Sequence, residues 1–435
     1  MKNKQSNKKN SIIIIPKSLQ SPITFYIIWG LSCMFYFYES LLQVAPSVMT
    51  NELTHDFLIN GNTLGILSGI YFYSYAFMQL PIGLLMDYFS PQYLLILASI
   101  FCSSSAIIFS ITNNFIMACI SRLILGCSSA FAIIGSMKLI NHYFSSKYFS
   151  FLTGIMVTFG MLGSIIGEAP LSVLIKYYGW RKSIFFIGIF GLILPFLMTV
   201  FSNKKIKKNN LFNSNKSLIS KDIMNNICTM LKNPQLWLIA LYGGFMYMPT
   251  PIFCGLWGVP FLMEKINLNK IIAANYVSLI FVGWAIGSPL WGLYSNWIGK
   301  CKPIMYISSF GALFTNSLFI YCNIHLHWIL QLLLFSFGFF SSGFFSSFTL
   351  GKTLYNKQNF ATSLSFINTI NMLGIALIQP IIGLILDKMC YKHYIIYNNN
   401  IIILYPIQAY YVALTLLPIS IIISLIILTK IKENY

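Results

Sequence analysis

Charge is scarce in this sequence. Only 9% of its 435 residues are Asp, Glu, Lys or Arg, while 57% are hydrophobic. A soluble protein of this length covers its surface with far more charged side chains. The shortage excludes a surface that faces water on all sides, so lipid is the solvent expected for most of it.

Acidic residues are scarcer still. The nine Asp and Glu stand against 28 Lys and Arg, which gives a formal net charge of +19. A nucleic-acid-binding protein would cluster such bases beside aromatic residues on a soluble domain, whereas here they lie between apolar runs. The positive-inside rule for membrane proteins accounts for the same charges, so no nucleic-acid partner is expected.

Residue patterns that hold metals or build catalytic sites are also missing. The nine cysteines show neither a CxxC spacing nor a paired framework, so they are interpreted as small core residues. The pair His325 and His327 has no acidic neighbour, although a membrane enzyme needs a cluster of such groups. We therefore expect no catalytic residue, no metal and no cofactor, and an enzyme is the weaker alternative.

Long apolar runs are what the sequence has in abundance. A helix needs about 20 mostly apolar residues to cross a bilayer, and runs of that length recur about twelve times. The predicted spans cover residues 23–49, 63–86, 93–111, 114–139, 149–175, 183–201, 235–263, 272–297, 303–321, 328–350, 360–386 and 406–429.

A polar, Lys-rich stretch divides these spans six and six. We expect a tail at 1–22, a six-helix bundle at 23–201, a linker at 202–233, a second bundle at 234–430 and a tail at 431–435.

Basic residues also predict an orientation. With the N-terminus inside, the cytoplasmic segments hold 20 Lys and Arg against 7 on the other side, so both termini are expected in the cytoplasm. The Lys-, Ile- and Asn-rich composition suggests AT-biased coding and hence a bacterial inner (plasma) membrane. A lysosomal-type organelle membrane is the alternative.

Short motifs recur in chain order at an offset of about 210 residues. Chance similarity among apolar helices is one explanation, and a duplicated six-helix unit related by an axis along the membrane normal is the favoured one. The pairs are Val44-Ala45-Pro46 with Gly258-Val259-Pro260, Gly83-Leu84 with Gly292-Leu293, Met161-Leu162-Gly163 with Met372-Leu373-Gly374, and Lys138 with Lys352. The sequence thus predicts an all-α membrane protein with twelve transmembrane helices in two six-helix, pseudo-symmetric bundles.

This organisation resembles the major facilitator superfamily over nearly the whole chain. The family's loop after its second span reads G-x-x-x-D-x-x-G, followed by basic residues. Gly83 and Asp87 match that pattern, while Ser90 replaces the second glycine and the bases are missing. The resemblance implies the major facilitator fold and a gating role for this loop.

The corresponding loop in the second half keeps the family residues that the first loop lacks, and lacks the acid that the first loop keeps. Gly292, Gly299 and Lys300 match the family pattern, but Asn296 replaces the acid. The resemblance therefore implies a second gating loop, although the family's Asp-to-Arg latch is not carried over intact.

Two intramembrane charges are the strongest candidates for substrate or proton binding. Arg122, with Gly126, resembles the R-x-x-x-G of the family's fourth span, and Glu39 lies in predicted span one at a similar depth of roughly 12–15 Å. Because spans one, four, seven and ten line the family's cavity, the resemblance implies an ion pair there, or substrate and proton groups. Tyr36 and Gln43 share the helical face of Glu39. Snorkelling of Arg122 to the interface is the alternative.

The second half offers polar and aromatic groups in place of charges. Trp257 on span seven, and Asn368 with Asn371 on span eleven, are candidates for shape recognition, or for bonds between helices. Prolines at 249 and 251 are expected to kink span seven. Glu168, near one end of span five, is interpreted as solvated.

Stretches around Ser121–Gly126 and Gly163-Ser164 are similar to lysosomal dipeptide transporter-like proteins and their bacterial relatives. The expected function is a secondary transporter that moves a small polar organic solute by alternating access, either coupled to a proton or as a uniporter. A dipeptide or amino acid is the first substrate expectation. An organic-anion or sugar transporter, or a non-transporting sensor or scaffold, is the alternative. The expected partners are the substrate and the lipid bilayer, and the chain is expected to be a monomer or weak homodimer.

Overall fold

The computed structural model describes residues 22–144, 149–202, 232–324, 326–353, 360–389, 394–397, 400–403 and 405–433. Residues 1–21 of the predicted tail at 1–22, most of the linker at 202–233 and residues 434–435 lie outside the described part. The proposed domain boundaries therefore stay predictions.

Six long helices, named spans 1 to 6, form the first half. Span 1 continues into a 3₁₀ turn, Ala45–Val48, and a short helix, Thr50–Phe57, follows it. Span 6 is broken at Leu192. The helix bounds are Pro22–Val44, Gly61–Tyr88, Pro91–Ile111, Phe115–Tyr143, Phe149–Tyr178 and, for span 6, Trp180–Gly191 with Ile193–Phe201.

Spans 7 to 12 form the second half, and three of them are interrupted. Span 7 consists of Pro234–Tyr247, Pro249–Ile252, the π-turn Phe253–Trp257 and Gly258–Ile266. Span 8 is Lys270–Ile298, span 9 Lys302–Tyr321 and span 11 Phe360–Met389. Span 10 joins His327–Ser341, Ser342–Phe345 and Ser346–Thr353, and span 12 joins Ile407–Leu414 and Leu416–Lys430.

The predicted all-α, twelve-span architecture is confirmed. Eleven helices among the described residues are long and apolar enough to cross a membrane, and span 2, with 28 residues, is the twelfth long helix. The kink expected in span 7 is also present, since a proline in a helix removes a hydrogen bond and clashes with the preceding turn.

One element was not predicted. Tyr394–Tyr397 pairs antiparallel with Asn400–Ile403 between spans 11 and 12. Both strands are rich in Ile or Tyr, which favour β-structure, but a search for apolar runs of about 20 residues does not detect four-residue strands.

Successive spans run in opposite directions, so the bundle has two ends. We call the end where span 1 begins and span 12 ends the terminal face. The opposite end, the distal face, contains the helix Thr50–Phe57 and the connections after spans 3, 5, 7, 9 and 11.

The two halves meet along two helix pairs, span 2 with span 11 and span 5 with span 8. Small residues allow the first pair to approach closely. A Cβ on Gly65 would lie 2.7 Å from the Gln379 carbonyl oxygen, and one on Gly383 would lie 2.1 Å from the Gly61 carbonyl oxygen. These glycines therefore allow the backbones of span 2 and span 11 to come into direct contact.

Candidate functional site: buried charges and the distal contacts

Three charged side chains are buried among the described residues, and all belong to the first half. Glu39 is 1% exposed, Arg122 3% and Glu168 0%. The interpretation of Glu168 as solvated was wrong, because span 5 packs that face against span 1 rather than against water. Arg122 is likewise enclosed by protein and does not extend to the bilayer surface.

Tyr71 of span 2 connects the acid to the base. Its hydroxyl donates a hydrogen bond to Glu39 Oε2 at 2.8 Å. The Arg122 guanidinium lies over the Tyr71 ring, 5.1 Å from the centroid, in a cation–π arrangement. Among the described contacts no hydrogen bond or ion pair joins Glu39 directly to Arg122. Tyr71 is the side chain that contacts both of them.

Arg122 retains unused hydrogen-bonding capacity. Its Nη1 donates to the Leu42 carbonyl oxygen at 3.2 Å, but Nε and Nη2 have no partner. A cavity of about 20 Å³ adjoins it, room for about one water. Its lining includes Leu42, Ala45, Met49, Phe109, Ser121 and Ile184.

Tyrosines surround Glu39 on the side of the second half. Tyr36, Tyr75 and Tyr247 lie within electrostatic reach of its carboxyl group. Tyr36 packs on span 5 at Gly160, where a Cβ would lie 2.3 Å from the ring. Glu39 and Tyr36 therefore belong to a cluster of tyrosines that reaches Tyr247 of the second half.

The second half contributes aromatic surface and buried amides. Tyr247 stacks on Phe344 with ring centroids 4.7 Å apart. Trp257, in the π-turn of span 7, is 1% exposed and its indole N–H has no partner. Asn371 is 0% exposed and neither amide atom has a partner, while Asn368 is half-buried. A buried amide without a partner is costly, so contact of Asn371 with a solute stays a prediction.

Gln43 lies one turn beyond Glu39 on span 1 and is half-buried. At the terminal face, Gly83 contacts span 11, since a Cβ there would lie 3.7 Å from Ser365 Oγ. The side chain of Asp87 is outside the described part of the structure, so its role stays a prediction.

The second predicted gating loop ends span 8. Gly299 adopts φ 71° and its N–H donates to the Ser295 carbonyl oxygen at 2.9 Å, a left-handed cap that favours glycine. Gly292 faces open space and Lys300 is exposed. The side chain of Asn296 is not described.

Asp387, at the end of span 11, was missed by the sequence interpretation. Its Oδ1 accepts from the Gly61 N–H at 3.0 Å and from the Tyr405 hydroxyl at 2.6 Å. Its Oδ2 accepts from the Asn62 N–H at 2.8 Å. The carboxylate of one half thus caps the N-terminus of span 2 in the other half, where the helix dipole favours an anion.

Tyr405 completes this contact from the second half. Its hydroxyl also accepts from the Gly61 N–H at 2.8 Å. Burial, together with the adjacent Asp387 carboxylate, raises the pKa of Tyr405 well above its usual value. The phenol therefore remains protonated and available as a donor to Asp387.

A sequence signal for Asp387 was present. Gly383-Leu384 with Asp387 repeats the spacing of Gly83-Leu84 with Asp87, and Gln379 stands where Gln79 stands in the first copy. The offset is 300 rather than about 210, because the motif relates span 2 to span 11 rather than two equivalent helices. A search restricted to one repeat length does not find it.

Two further ion pairs lie on the distal face. Lys270, at the start of span 8, pairs with Glu52 of the first half. Arg181 and Asp56, both in the first half, pair at 3.3 Å. Burial alone raises the pKa of Asp56, but hydrogen bonds from Trp180 and His55 and the Arg181 charge outweigh it and lower that pKa.

Together these features define a polytopic helical membrane protein with a charged, aromatic centre and contacts between its halves at one face. The family model described as Major Facilitator Superfamily matches residues 27–379. The chain belongs to the major facilitator superfamily, as the motifs around Gly83 and Arg122 predicted.

Curated relatives share limited identity with the chain. A probable hexose phosphate transport protein of Chlamydia muridarum is 23% identical over 317 residues, 67% of this chain and 68% of the relative. A probable sulfoacetate transporter, SauU, of Cupriavidus necator is 24% identical over 169 residues, 39% of each chain. A probable L-galactonate transporter of Escherichia coli is 26% identical over 159 residues, 37% of this chain and 34% of the relative. Two of these matches therefore span well under half of the relative's length.

Solved structures agree with the fold. A bacterial homologue of the human lysosomal transporter Spinster, in an inward-facing and occupied conformation, gives a TM-score of 0.73 at 14% identity. The match covers 96% of this chain and all of that one. The nucleoside transporter NupG gives a TM-score of 0.69 at 12% identity, over 95% of this chain. At such identities the likeness shows the fold alone.

Proposed function

We propose that the chain is an alternating-access transporter of a small organic anion, with Arg122 as the anion-binding group. The observation that carries the proposal is the buried guanidinium with two nitrogen atoms, Nε and Nη2, that have no hydrogen-bond partner. The multi-pass protein would lie in a bacterial plasma membrane with both termini in the cytoplasm.

The energetics favour an anionic ligand. A charged side chain at mid-bilayer costs at least about 2.5–3.5 kcal/mol, so such residues line wet cavities or pair with opposite charge. The Arg122 guanidinium has one carbonyl and one aromatic ring as partners, and neither carries a formal charge. A carboxylate, sulfonate or phosphate would satisfy its free N–H groups in the forked geometry that arginine favours.

The relatives support the same substrate class. Three of them are named for a hexose phosphate, sulfoacetate and L-galactonate, each an anion at neutral pH. Their shared chemistry is a small polar body with at least one acidic group, which suits a centre that combines a buried guanidinium with tyrosines and buried amides.

Glu39 has the complementary role in this proposal. Its carboxyl group shares Tyr71 with Arg122, so a proton on Glu39 would remove the negative charge that competes with the substrate for the guanidinium. Proton loading would then favour anion binding, which is symport. Coupling through Glu39 stays a prediction, and uniport is the alternative.

A zwitterion is the second candidate. The proximity of an acid and a base around Tyr71 suits a dipeptide or amino acid, with Arg122 on the carboxylate and Glu39 on the amine. The earlier expectation of such a substrate therefore also stays a prediction.

Transport by purified protein in proteoliposomes tests the proposal. Labelled sugar phosphates, sugar acids, sulfoacetate, amino acids and dipeptides would be compared for uptake and for exchange against internal substrate. We expect an anion to be exchanged by the wild type, Arg122→Ala to lose at least 90% of that exchange, and Arg122→Lys to retain part of it, since lysine keeps the charge but not the fork.

The matched control is Arg181→Ala, which removes an arginine of the first half that lies on the distal face, away from Glu39 and Tyr71. Thermal stability and monodispersity would confirm folding of each variant. Undiminished anion exchange by Arg122→Ala would overturn the role of Arg122, and exchange of dipeptides alone would replace the anion by the zwitterion.

A further inference from the structure

Among the described residues, Glu168 is the one buried charge that the proposed anion site does not use. It lies on span 5 and is 0% exposed. Its Oε1 accepts a hydrogen bond from Ser47 Oγ at 2.9 Å, and its Oε2 has no partner. A buried carboxyl oxygen without a hydrogen-bond partner calls for an explanation, and the two available here are a bound ligand or a proton on that oxygen.

Tight packing holds Glu168 against span 1. A Cβ on Gly163 would lie 2.0 Å from the Phe37 carbonyl oxygen, and one on Gly167 would lie 2.7 Å from the Leu41 carbonyl oxygen. The two helices therefore touch backbone to backbone, which leaves no route for water to Glu168 between them.

No positive charge compensates Glu168 among the described residues. The groups that face it are the Ser47 hydroxyl from the turn after span 1 and the Cys254 thiol from the π-turn of span 7. Span 8, which packs along span 5, adds no charged group that acts on it. Arg122, the buried base among the described residues, has the Tyr71 ring and the Leu42 carbonyl oxygen as partners instead.

A carboxylate in such surroundings is strongly disfavoured, since an ion buried without a partner costs several kcal/mol. A neutral carboxylic acid needs no counter-charge. It can accept from Ser47 through one oxygen while the other carries the proton. The geometry therefore fits the protonated form of Glu168.

The position of Glu168 links this proton to movement of the halves. Ser47 belongs to the 3₁₀ turn Ala45–Val48 and Cys254 to the π-turn Phe253–Trp257, and these two irregular segments pack on each other. Irregular turns within long helices often mark functional hinges. Separation of the halves at the distal face would part these two turns and admit water to the carboxyl group.

We propose that Glu168 is a proton-binding site at the junction of the halves, which releases and takes up its proton only when the distal face is open. This proposal rests on the proposed transporter function and adds to it a proton that controls closure of the distal face and is held apart from the anion. Because this proton is taken up and released on the same side of the membrane, it regulates the transport cycle and is not itself carried across. Proton binding at Glu168 neutralises the one charge buried at this junction among the described residues, so closure is favoured with the proton bound and disfavoured without it.

Infrared difference spectroscopy of the purified protein tests the proton directly, without transport. A protonated carboxylic acid has a carbonyl stretch distinct from that of a carboxylate. We expect a pH-difference band from Glu168 that is lost in Glu168→Gln, shifted in Ser47→Ala because the hydrogen bond is removed, and retained in Glu39→Gln. Glutamine imitates the neutral acid in shape, so the fold should persist. If Glu168→Gln does not fold, the shift of the band in Ser47→Ala still tests whether the band belongs to Glu168.

Transport then tests the control of closure. We expect exchange of substrate by the wild type to slow several-fold as the pH on the distal side rises, because the distal face closes less readily without the proton. Glu168→Gln imitates the neutral acid, so it should retain exchange and lose this part of the pH dependence. A pH profile of exchange equal to that of the wild type, or a carboxylic acid band unchanged by Glu168→Gln, would overturn the proposal. A wild type that exchanges no substrate would instead overturn the transporter function, and the infrared result would still report on Glu168.

Discussion

At the residue scale, Tyr71 explains how an acid and an arginine coexist inside a membrane protein without forming an ion pair. Its hydroxyl satisfies Glu39, and its ring faces the Arg122 guanidinium. The two interactions use different parts of one side chain, so substitutions can separate them. An aromatic ring stabilises a desolvated cation by about 2 kcal/mol, and a hydrogen bond to a charged group contributes about 1.5–3 kcal/mol.

Removal of the hydroxyl alone should affect proton coupling more than anion binding. In Tyr71→Phe the ring remains beside Arg122 while Glu39 loses its donor. We expect the substrate concentration for half-maximal exchange to change less than about threefold, and the pH dependence of uptake to shift. Uptake over a series of pH values in proteoliposomes measures both quantities. Tyr71→Leu removes the ring as well and should weaken binding by at least about tenfold, since about 1.4 kcal/mol corresponds to that factor. Equal effects of the two variants would contradict the division of roles.

At the element scale, the halves are joined at the distal face by the end of one helix and the beginning of another. Span 11 presents Asp387 to the first N–H groups of span 2, which lack partners within their own helix. Gly61 and Gly383 are both needed because a Cβ on either would collide, with the Tyr405 hydroxyl at 2.6 Å or the Gly61 carbonyl oxygen at 2.1 Å. The distal face is therefore closed by specific contacts rather than by general apolar packing.

Loss of the Asp387 charge should loosen this closure. Asp387→Asn removes the interaction with the helix dipole, typically 0.3–1 kcal/mol and up to about 2 kcal/mol in partly buried sites. We expect the amides of Gly61 and Asn62 to exchange hydrogen for deuterium several-fold faster, as measured by mass spectrometry of the peptide that contains them.

The matched control is Asp56→Asn. It removes a distal acid whose described partners, among them Trp180 and Arg181, belong to the first half, so exchange at Gly61 and Asn62 should stay at the wild-type rate. Equal acceleration in both variants would show that surface charge, rather than the Asp387 cap, sets the exchange.

At the scale of the whole molecule, composition and the recurrence of apolar runs were enough to predict the architecture. Apolar runs of about 20 residues predicted twelve spans because the bilayer imposes that length on any helix that crosses it. The four-residue strands lay outside this constraint and were missed. Glu39 and Arg122 were found because an intramembrane charge is costly wherever it occurs.

The partners of those charges depend on tertiary packing, which single-chain patterns do not contain. Tyr71 and Ser47 are ordinary residues of apolar segments, and only the fold places them beside Glu39 and Glu168. Burial of Glu168 likewise follows from backbone contact between spans 1 and 5 rather than from its position near a helix end.

Alternating access requires that the contacts between the halves at the distal face break in each cycle, and a reversible crosslink tests this requirement. Glu52 and Lys270 form an ion pair across the halves, whereas Asp56 and Arg181 form one within the first half. In a background with the native cysteines replaced, we expect a reducible bifunctional thiol reagent that bridges the Glu52→Cys, Lys270→Cys pair to abolish uptake and a reductant to restore it. The Asp56→Cys, Arg181→Cys pair should crosslink on the same face with uptake unchanged, because its two residues move together. Full uptake with the first pair crosslinked, or equal inhibition by both pairs, would contradict a transport cycle in which the distal face opens by separation of the halves.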